Sequence, residues 1–296
     1  MIKNKLLIVG CGDIAMRLSV LLKKRYHLIG LCRNAENFDK LRTHDISPVA
    51  GDLDYPASLG RLSGVAHTIV HLAPPPGQGS NDTRTKHLLT ALHRQSKTKT
   101  AILPQQFVYI STSGVYGDCG GSWVDESRAV NPRNDRAWRR LDAERQIRNW
   151  GNRHGVRVSI LRVPGIYAEN RLPITRLQQG LPALLAHEDS YTNHIHADDL
   201  ARIIVAAVHY GKPGRVYHAC DDSHLKMGDY FDLVADHFRL PRPRKITREQ
   251  AQTALSPGML SFMQESRRLI NVRMKQELRV RLRYPTVADC LAAITV

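Results

Sequence analysis

Short runs of apolar residues recur along the first two-thirds of the chain, and most of them are continuous rather than alternating. Continuous runs of this length are typical of strands that are buried on both faces of a parallel sheet. Between the first two runs, Ile14, Leu18, Leu21 and Leu22 recur at helical spacing, and the basic residues 23–25 suit the C-terminal end of a helix. The pattern predicts strands at residues 5–10, 27–33, 48–53, 67–73, 107–112 and 156–163.

The order of these elements predicts a doubly wound α/β fold. Strands separated by helices form right-handed βαβ units, and such units build the parallel sheet of a Rossmann domain. After about residue 168 the rhythm changes to a helix at 198–209, a strand at 215–220 and a remainder rich in Pro and Arg. We therefore predict a Rossmann domain over residues 1–168, which residues 197–221 rejoin, and a smaller C-terminal α/β lobe over 169–296.

A glycine-rich loop joins the first predicted strand to the first predicted helix. Residues 10–15 read Gly-Cys-Gly-Asp-Ile-Ala and fit G-x-G-x-x-G/A, the phosphate-binding loop of dinucleotide-binding domains. The second glycine lets the backbone approach a pyrophosphate, and the helix N-terminus adds unpaired N–H groups. An ordinary glycine turn is the alternative, but the position between strand and helix favours NAD(P) binding. The predicted contacts are Gly10, Gly12, Asp13, Ile14 and Ala15.

The end of the second predicted strand indicates which dinucleotide binds. A site selective for NAD carries a carboxylate there, which hydrogen-bonds the ribose 2′-hydroxyl. This chain has Cys32 and Arg33 instead, and the planar fork of an arginine suits a 2′-phosphate. An exposed arginine in a loop is the plainer interpretation. We predict NADP as the cofactor, with NAD as the alternative.

Five further segments carry a family resemblance, and they follow in the same order as in that family. They are 51–53 (Gly-Asp-Leu), 71–74 (His-Leu-Ala-Pro), 109–117 (Tyr-Ile-Ser-Thr-Ser-Gly-Val-Tyr-Gly), 161–167 (Leu-Arg-Val-Pro-Gly-Ile-Tyr) and 193–201 (Asn-His-Ile-His-Ala-Asp-Asp-Leu-Ala). From Gly10 to about Pro243 the chain resembles the extended and atypical short-chain dehydrogenase/reductases, the NAD-dependent epimerase/dehydratase family. Segment 109–117 is the most specific match, because it is similar to the family's SS-x-x-VYG.

The resemblance implies roles for residues in these segments. Thr112 takes the position of the family's catalytic Ser/Thr, whose hydroxyl bonds a substrate carbonyl or alcohol. A threonine that satisfies only the local backbone is the alternative. The further cofactor contacts that the resemblance implies are Asp52, Leu53, Leu72, Ala73, Pro74 and Pro164, together with Thr112 itself.

The resemblance departs from the family pattern in the helix that follows Asn131. There the family carries Tyr-x-x-x-Lys, in which the tyrosine transfers the proton and the lysine holds the nicotinamide ribose. Counting from Asn131 places Arg136 at the tyrosine position and Arg140 at the lysine position. Arg140 is expected to contact the ribose, whereas Arg136 cannot exchange a proton near neutral pH. Tyr116 and Tyr167 follow nearby motifs, and Tyr116 is the first candidate for the catalytic proton donor.

Two functions from different classes fit these residues. The first is an NAD(P)-binding atypical short-chain dehydrogenase/reductase of the epimerase/dehydratase type that acts on a sugar-like or nucleotide-linked small molecule. The second is a non-catalytic NADP-binding sensor or scaffold, which kept the fold and lost the proton-transfer tyrosine.

Charge restricts the partners. Lys plus Arg number 43 against 27 Asp plus Glu, a formal charge of +16, which favours anionic ligands. Only 6% of the residues are aromatic, so a surface that stacks nucleic-acid bases is poorly supplied and a small anionic substrate is the preferred partner. A homodimer is left open.

Composition also bears on membrane spans, on cellular location and on metal binding. No apolar run approaches 18 residues, so no membrane span is predicted. The five cysteines are scattered and form no Cys-x-x-Cys, which favours a reducing cytoplasm. His194 and His196 have no third ligand at a recognisable spacing, so no metal is predicted.

Overall fold

The computed structural model describes residues 3–93 and 102–295. Its strands are β1 (Asn4–Val9), β2 (Tyr26–Cys32), β3 (Ile46–Ala50), β4 (Thr68–His71), β5 (Gln106–Thr112), β6 (Trp123–Val124), β7 (Arg157–Val163), β8 (Gly165–Tyr167), β9 (Ala183–Leu184), β10 (His194–His196), β11 (Arg215–His218), β12 (Lys245–Ile246) and β13 (Arg268–Leu269). Its α-helices are α1 (Asp13–Leu22), α2 (Phe38–Thr43), α3 (Thr83–Leu92), α4 (Asp135–His154), α5 (Ile174–Gln178), α6 (Ala197–Tyr210), α7 (Met227–His237), α8 (Arg248–Ala254), α9 (Pro257–Met263), α10 (Val272–Glu277) and α11 (Val287–Ala292).

One parallel sheet of seven strands forms the centre of the described chain. Its order is β3-β2-β1-β4-β5-β7-β11, and every neighbouring pair is parallel. The chain starts in the middle of the sheet, runs outward to β3 and then returns across β1 to β4. This reversal confirms the predicted doubly wound fold, and it leaves a crevice at the carboxyl ends of β1 and β4, where ligands of such sheets bind.

Strand β1 shows why helices cover both faces of the sheet. Leu6, Leu7, Ile8 and Val9 are all fully buried. Successive side chains of a strand point to opposite faces. Leu6 and Ile8 therefore pack with α1 and α6, whereas Leu7 and Val9 pack with α3 and α4. The continuous apolar run thus fills two cores at once, and the domain has three layers.

Most predicted elements are observed within two residues of their predicted ends, including the helix at α6 and the strand at β11. The strand predicted at 48–53 is the exception, because β3 ends at Ala50. The Asp52 carboxylate accepts a hydrogen bond from the Asp54 nitrogen (2.9 Å), and the Ser58 hydroxyl accepts one from the Asp52 nitrogen (2.9 Å). These side-chain bonds turn the backbone away from the sheet directly after the strand.

The C-terminal part of the chain builds a smaller layer beside the carboxyl ends of the strands. Its short strands pair in parallel as β8 with β10, β9 with β12, and β6 with β13. It has a hydrophobic cluster of its own, which includes Tyr167, Leu184, Tyr230 and Val234. The division of the chain at residue 168 stays a prediction. Within the residues described, no helix has the length and apolar character needed to cross a membrane.

Candidate functional site

The two glycines of the loop between β1 and α1 have different surroundings. Gly10 has φ +101°, and a Cβ built on it would lie 2.5 Å from the backbone nitrogen of Ala73. The loop after β4 therefore passes directly against Gly10, and only glycine fits. Gly12 has φ −90° and ψ −161°, which any residue adopts, and a Cβ there would meet no heavy atom within 4 Å. The space over Gly12 is open, so a ligand can approach the backbone closely.

A cavity of about 740 Å³ opens over this loop, along the carboxyl ends of β1, β2 and β4. Its volume lies in the range of small-molecule sites, about 300–1,000 Å³. The structure brings all of the predicted cofactor-binding residues to its walls: Gly10, Gly12, Asp13, Ile14, Ala15, Arg33, Asp52, Leu53, Leu72, Ala73, Pro74, Thr112, Arg140 and Pro164. The open space at Gly12 and the N-terminus of α1 fit a pyrophosphate.

The end of this cavity beside β2 and α2 carries two cations and the carboxylate of Asp52. Arg33, which is exposed, and Lys40 both line it. The carboxylate of Asp54 lies close by, but Arg84 binds it at 2.6 Å, and this hydrogen-bonded pair lowers the pKa of Asp54. The two cations at this end fit a phosphate group better than a neutral ribose hydroxyl.

A second cavity, of about 890 Å³, joins the first. Six residues line both: Pro74, Thr112, Arg140, Pro164, Ile166 and Arg171. Thr112 is the last residue of β5, and its hydroxyl oxygen accepts a hydrogen bond from the Gly114 nitrogen at 3.2 Å. The hydroxyl hydrogen is not used in that bond, so it can donate to a ligand at the junction of the cavities.

Of the arginines at the start of α4, Arg140 lines both cavities. Arg140 donates to the Tyr109 hydroxyl (3.1 Å) and to the Ile110 carbonyl (2.9 Å), which fixes its guanidinium group over the end of β5. Arg136, one helical turn earlier, lines only the second cavity and is exposed. The full sequence contains no Tyr-x-x-x-Lys at any position.

Tyr116, the predicted proton donor, does not reach either cavity. It is 1% exposed, and its hydroxyl lies 2.6 Å from His218 Nε2 and accepts from Arg162 at 2.7 Å. Burial raises the pKa of Tyr116 to about 12. This environment argues against the predicted catalytic role, because the hydroxyl is enclosed by protein groups and holds its proton tightly.

A buried ion pair lies behind Thr112. Arg162 binds Glu144 through two hydrogen bonds, of 2.7 Å and 3.1 Å, and both side chains are almost fully buried. The Ser111 hydroxyl donates to the same carboxylate at 2.6 Å. Because Ser111 precedes Thr112, this network ties the end of β5 to α4 and β7.

Four histidines are buried, and burial lowers the pKa of each: His71, His194, His196 and His218. We refer to His71, His194 and His218, whose pKa values are lowered most, as the buried histidines. Burial lowers the pKa of His194 to about 4 and those of the other two to about 3. His194 lines the second cavity and stacks on Tyr230, with ring centroids 4.3 Å apart. The sequence places His194 in segment 193–201 and, without a third ligand, favours a structural or pocket-lining role over metal binding. In the described ranges, no group of three or more His, Cys, Asp or Glu side chains could hold a metal ion.

Sequence reasoning missed the far wall of the second cavity. Tyr191, Glu265 and Arg267, from irregular segments of the C-terminal part of the chain, line it together with Met227, the first residue of α7. No periodicity or spacing links these residues, so the sequence offered no signal for them.

The sequence matches known proteins over most of its length. A family model described as the NAD dependent epimerase/dehydratase family matches residues 15–220. The GDP-6-deoxy-D-mannose reductase of Pseudomonas aeruginosa is 28% identical over 206 residues, which cover 62% of this chain and 68% of the reductase. The human dTDP-D-glucose 4,6-dehydratase is 26% identical over 122 residues, which cover 38% of this chain and 35% of the dehydratase.

Solved structures share the whole architecture. A conserved protein of unknown function from Silicibacter pomeroyi superposes with a TM-score of 0.81 at 28% identity, over 98% of both chains. The UDP-glucuronic acid 4-epimerase of Bacillus cereus, solved with NAD, superposes with a TM-score of 0.76 at 19% identity, over 98% of this chain and 96% of the epimerase. The second likeness, at that low identity, concerns the fold alone.

Proposed function

This chain belongs to the NAD dependent epimerase/dehydratase family, and from that premise we propose that it is an oxidoreductase that binds NADP in preference to NAD. Its substrate is a sugar-like, nucleotide-linked small molecule. The observation that carries this proposal is the junction of the two cavities at Thr112. The names of two relatives support the substrate class, because each contains a nucleotide-linked sugar. The cytoplasmic location stays a prediction from the sequence.

In this proposal the residues of the first cavity bind and orient the dinucleotide. The loop at Gly12 and the N-terminus of α1 bind its pyrophosphate, and Arg33 with Lys40 binds a 2′-phosphate. Arg140 contacts the ribose next to the nicotinamide. The dinucleotide supplies the hydride acceptor or donor when it is bound. Thr112 donates a hydrogen bond to the oxygen of the reacting carbon in the second cavity.

A non-catalytic NADP sensor is the second candidate, and the placement of two residues favours it. Arg136 lines the second cavity at the position that we assign to the tyrosine, and Tyr116 is enclosed elsewhere. General acid–base help contributes about 10²–10⁴ in rate. A protein without that help would bind the cofactor tightly and turn substrates over slowly.

Binding and turnover on the same preparation separate the two candidates. Calorimetry with NADP⁺ and NAD⁺ tests the cofactor site, and nicotinamide absorbance together with chromatography of the sugar products tests catalysis on a set of nucleotide-linked sugars. We expect Thr112→Val to lower turnover at least about tenfold while NADP⁺ affinity is kept, and Thr112→Ser, which retains the hydroxyl, to recover most of it. Tight NADP⁺ binding with no turnover of any sugar by the unaltered protein would establish the sensor instead. Failure to bind either dinucleotide would refute both candidates.

A further inference from the structure

The charge of the second cavity is strongly unbalanced. Five arginines line it, at positions 136, 139, 140, 171 and 267, against one carboxylate, that of Glu265. The Glu265 carboxylate is bound by Arg267 at 2.8 Å. The Asp13 carboxylate, outside this cavity, binds Arg171 at 3.2 Å. Three of the five, Arg136, Arg139 and Arg140, come from α4, and no ion pair with a described carboxylate is found for Arg139 or Arg140.

These three arginines lie on one face of the helix. Arg136, Arg139 and Arg140 are three and four residues apart, which places them side by side. Like charges at this spacing repel one another, and an anion that binds between them reduces the repulsion. Although Arg136 is exposed, partial desolvation of its guanidinium lowers its pKa; Glu265 raises it, and the neighbouring arginines lower it further.

The N–H donors of the arginines around this cavity outnumber the hydrogen-bond acceptors near them. Arg139 is 8% exposed and donates to the Gly79 carbonyl, but its Nε–H finds no acceptor among the described residues. The Nε–H of Arg267, on the opposite wall, likewise has none within the ranges that the structure covers. Buried donors without acceptors are uncommon in folded proteins, so both guanidinium groups add to the excess of N–H donors over acceptors around this cavity.

Resting on the proposed function, we infer that the part of the substrate beside Thr112 carries an oxyanion, a carboxylate or a phosphate, which the guanidinium groups of Arg136 and Arg140 bind. Guanidinium groups bind such oxyanions through paired hydrogen bonds. Arg140 lies at the junction of the cavities, so this group is separate from the diphosphate of a nucleotide-linked sugar, which is remote from the reacting carbon. Arg136, at the position that we assign to the family's tyrosine, thus recognises the negative charge of the substrate in this chain.

Matched ligands test this inference on protein saturated with NADP⁺. UDP-glucose and UDP-glucuronate share their diphosphate and differ by one carboxylate, so the ratio of their calorimetric Kd values isolates that group. Glucose, glucuronate and glucose 6-phosphate form a second set without a nucleotide, and this set separates carboxylate from phosphate. We expect the anionic member to bind at least about tenfold more tightly in one or both sets. No preference in either set, on protein that binds NADP⁺, overturns the inference and leaves the proposed cofactor site intact.

A matched pair of variants tests whether the preference for the anionic ligand depends on Arg136. Arg136→Gln should reduce the preference for the anionic ligand about tenfold, with the affinity for NADP⁺ and the unfolding temperature unchanged. Arg145→Gln makes the same change on an exposed residue of α4 that lines neither cavity, and it should keep the preference. An unchanged preference in Arg136→Gln, or an equal loss in both variants, contradicts the assignment.

Discussion

Gly10 and Gly12 are expected to respond in opposite ways when each gains a side chain. A Cβ on Gly10 would lie 2.5 Å and 2.8 Å from the nitrogen and Cα of Ala73, and φ at Gly10 is +101°. Both contacts are with backbone, so neither can be relieved by a rotamer change. The conformation costs about 1–2 kcal/mol for a non-glycine residue. Overpacking adds about 1–3 kcal/mol. Gly10→Ala should therefore lose about 2–5 kcal/mol of unfolding free energy.

Gly12→Val should leave the fold intact and weaken the binding of the dinucleotide. The backbone at Gly12 suits valine, and nothing lies within 4 Å of the added Cβ, so stability should fall by no more than about 1 kcal/mol, the cost of a poor N-cap residue on α1. The isopropyl group would occupy the cavity over the loop and separate the pyrophosphate from the backbone N–H groups. Each charge-assisted hydrogen bond lost costs about 1.5–3 kcal/mol, so Kd for NADPH should rise about 10- to 100-fold.

Thermal unfolding without cofactor and NADPH titration by fluorescence measure the two effects separately. For a chain of this size, 1 kcal/mol corresponds to about 2 °C, so Gly10→Ala should unfold about 4–10 °C below the unaltered protein. An unchanged unfolding temperature in Gly10→Ala would refute the close approach of the loop after β4. Unchanged NADPH affinity in a folded Gly12→Val would show that the dinucleotide does not lie over this loop.

Three further predictions concern selectivity and stability. Arg33→Asp should reverse or erase the preference for NADPH over NADH, which we expect to be about 10- to 100-fold in the unaltered protein, and equal calorimetric affinities before the change would contradict this. Arg162→Met should lose about 3–5 kcal/mol in urea unfolding because it leaves the buried Glu144 carboxylate unpaired, and Arg162→Met with Glu144→Gln should regain part of that loss. Unfolding free energy should be about 3 kcal/mol lower at pH 5 than at pH 7, because the buried histidines, with lowered pKa values, bind protons only in the unfolded chain below about pH 6.5. Burial raises the pKa of Asp221 to about 7, so the folded protein binds a proton there below pH 7, and this stabilising contribution is already subtracted in the value of about 3 kcal/mol. A larger unfolding free energy at pH 5 than at pH 7 would refute this prediction.

The sheet was predictable because its strands carry continuous apolar runs. In β1 every residue from Leu6 to Val9 is buried, half of them on each face, so the run itself encodes both cores. The end of β3 was predicted wrongly, since the Asp52 and Ser58 side chains bond the backbone there and apolarity alone does not report such bonds. The C-terminal strands, such as β12 and β13, are two residues long and are too short for any periodicity.

The site was predictable where it depends on local motifs. The glycine loop and segments 51–53, 71–74, 109–117 and 161–167 bring residues to one cavity, because each sits at the carboxyl end of a strand in the same sheet. Segment 193–201 lies outside that sheet and contributes only Leu200. Tyr116 shows the limit of this reasoning. Its hydroxyl is held by Arg162 and His218, which are 46 and 102 residues away along the chain. Contacts at such separations follow from the packing of β7 and β11, which no local pattern reports.

The residues that line the two cavities end at different positions along the chain, which affects the order in which the protein can bind its ligands during synthesis. The wall of the first cavity is complete at Leu200, whereas the second requires Glu265 and Arg267, near the C-terminal end. Translation delivers the N-terminal residues first, and domains begin to fold as they emerge. A growing chain therefore holds every residue that lines the first cavity well before it holds all those that line the second. Ribosome-arrested chains of increasing length should retain NADPH at lengths that still fail to retain any sugar ligand.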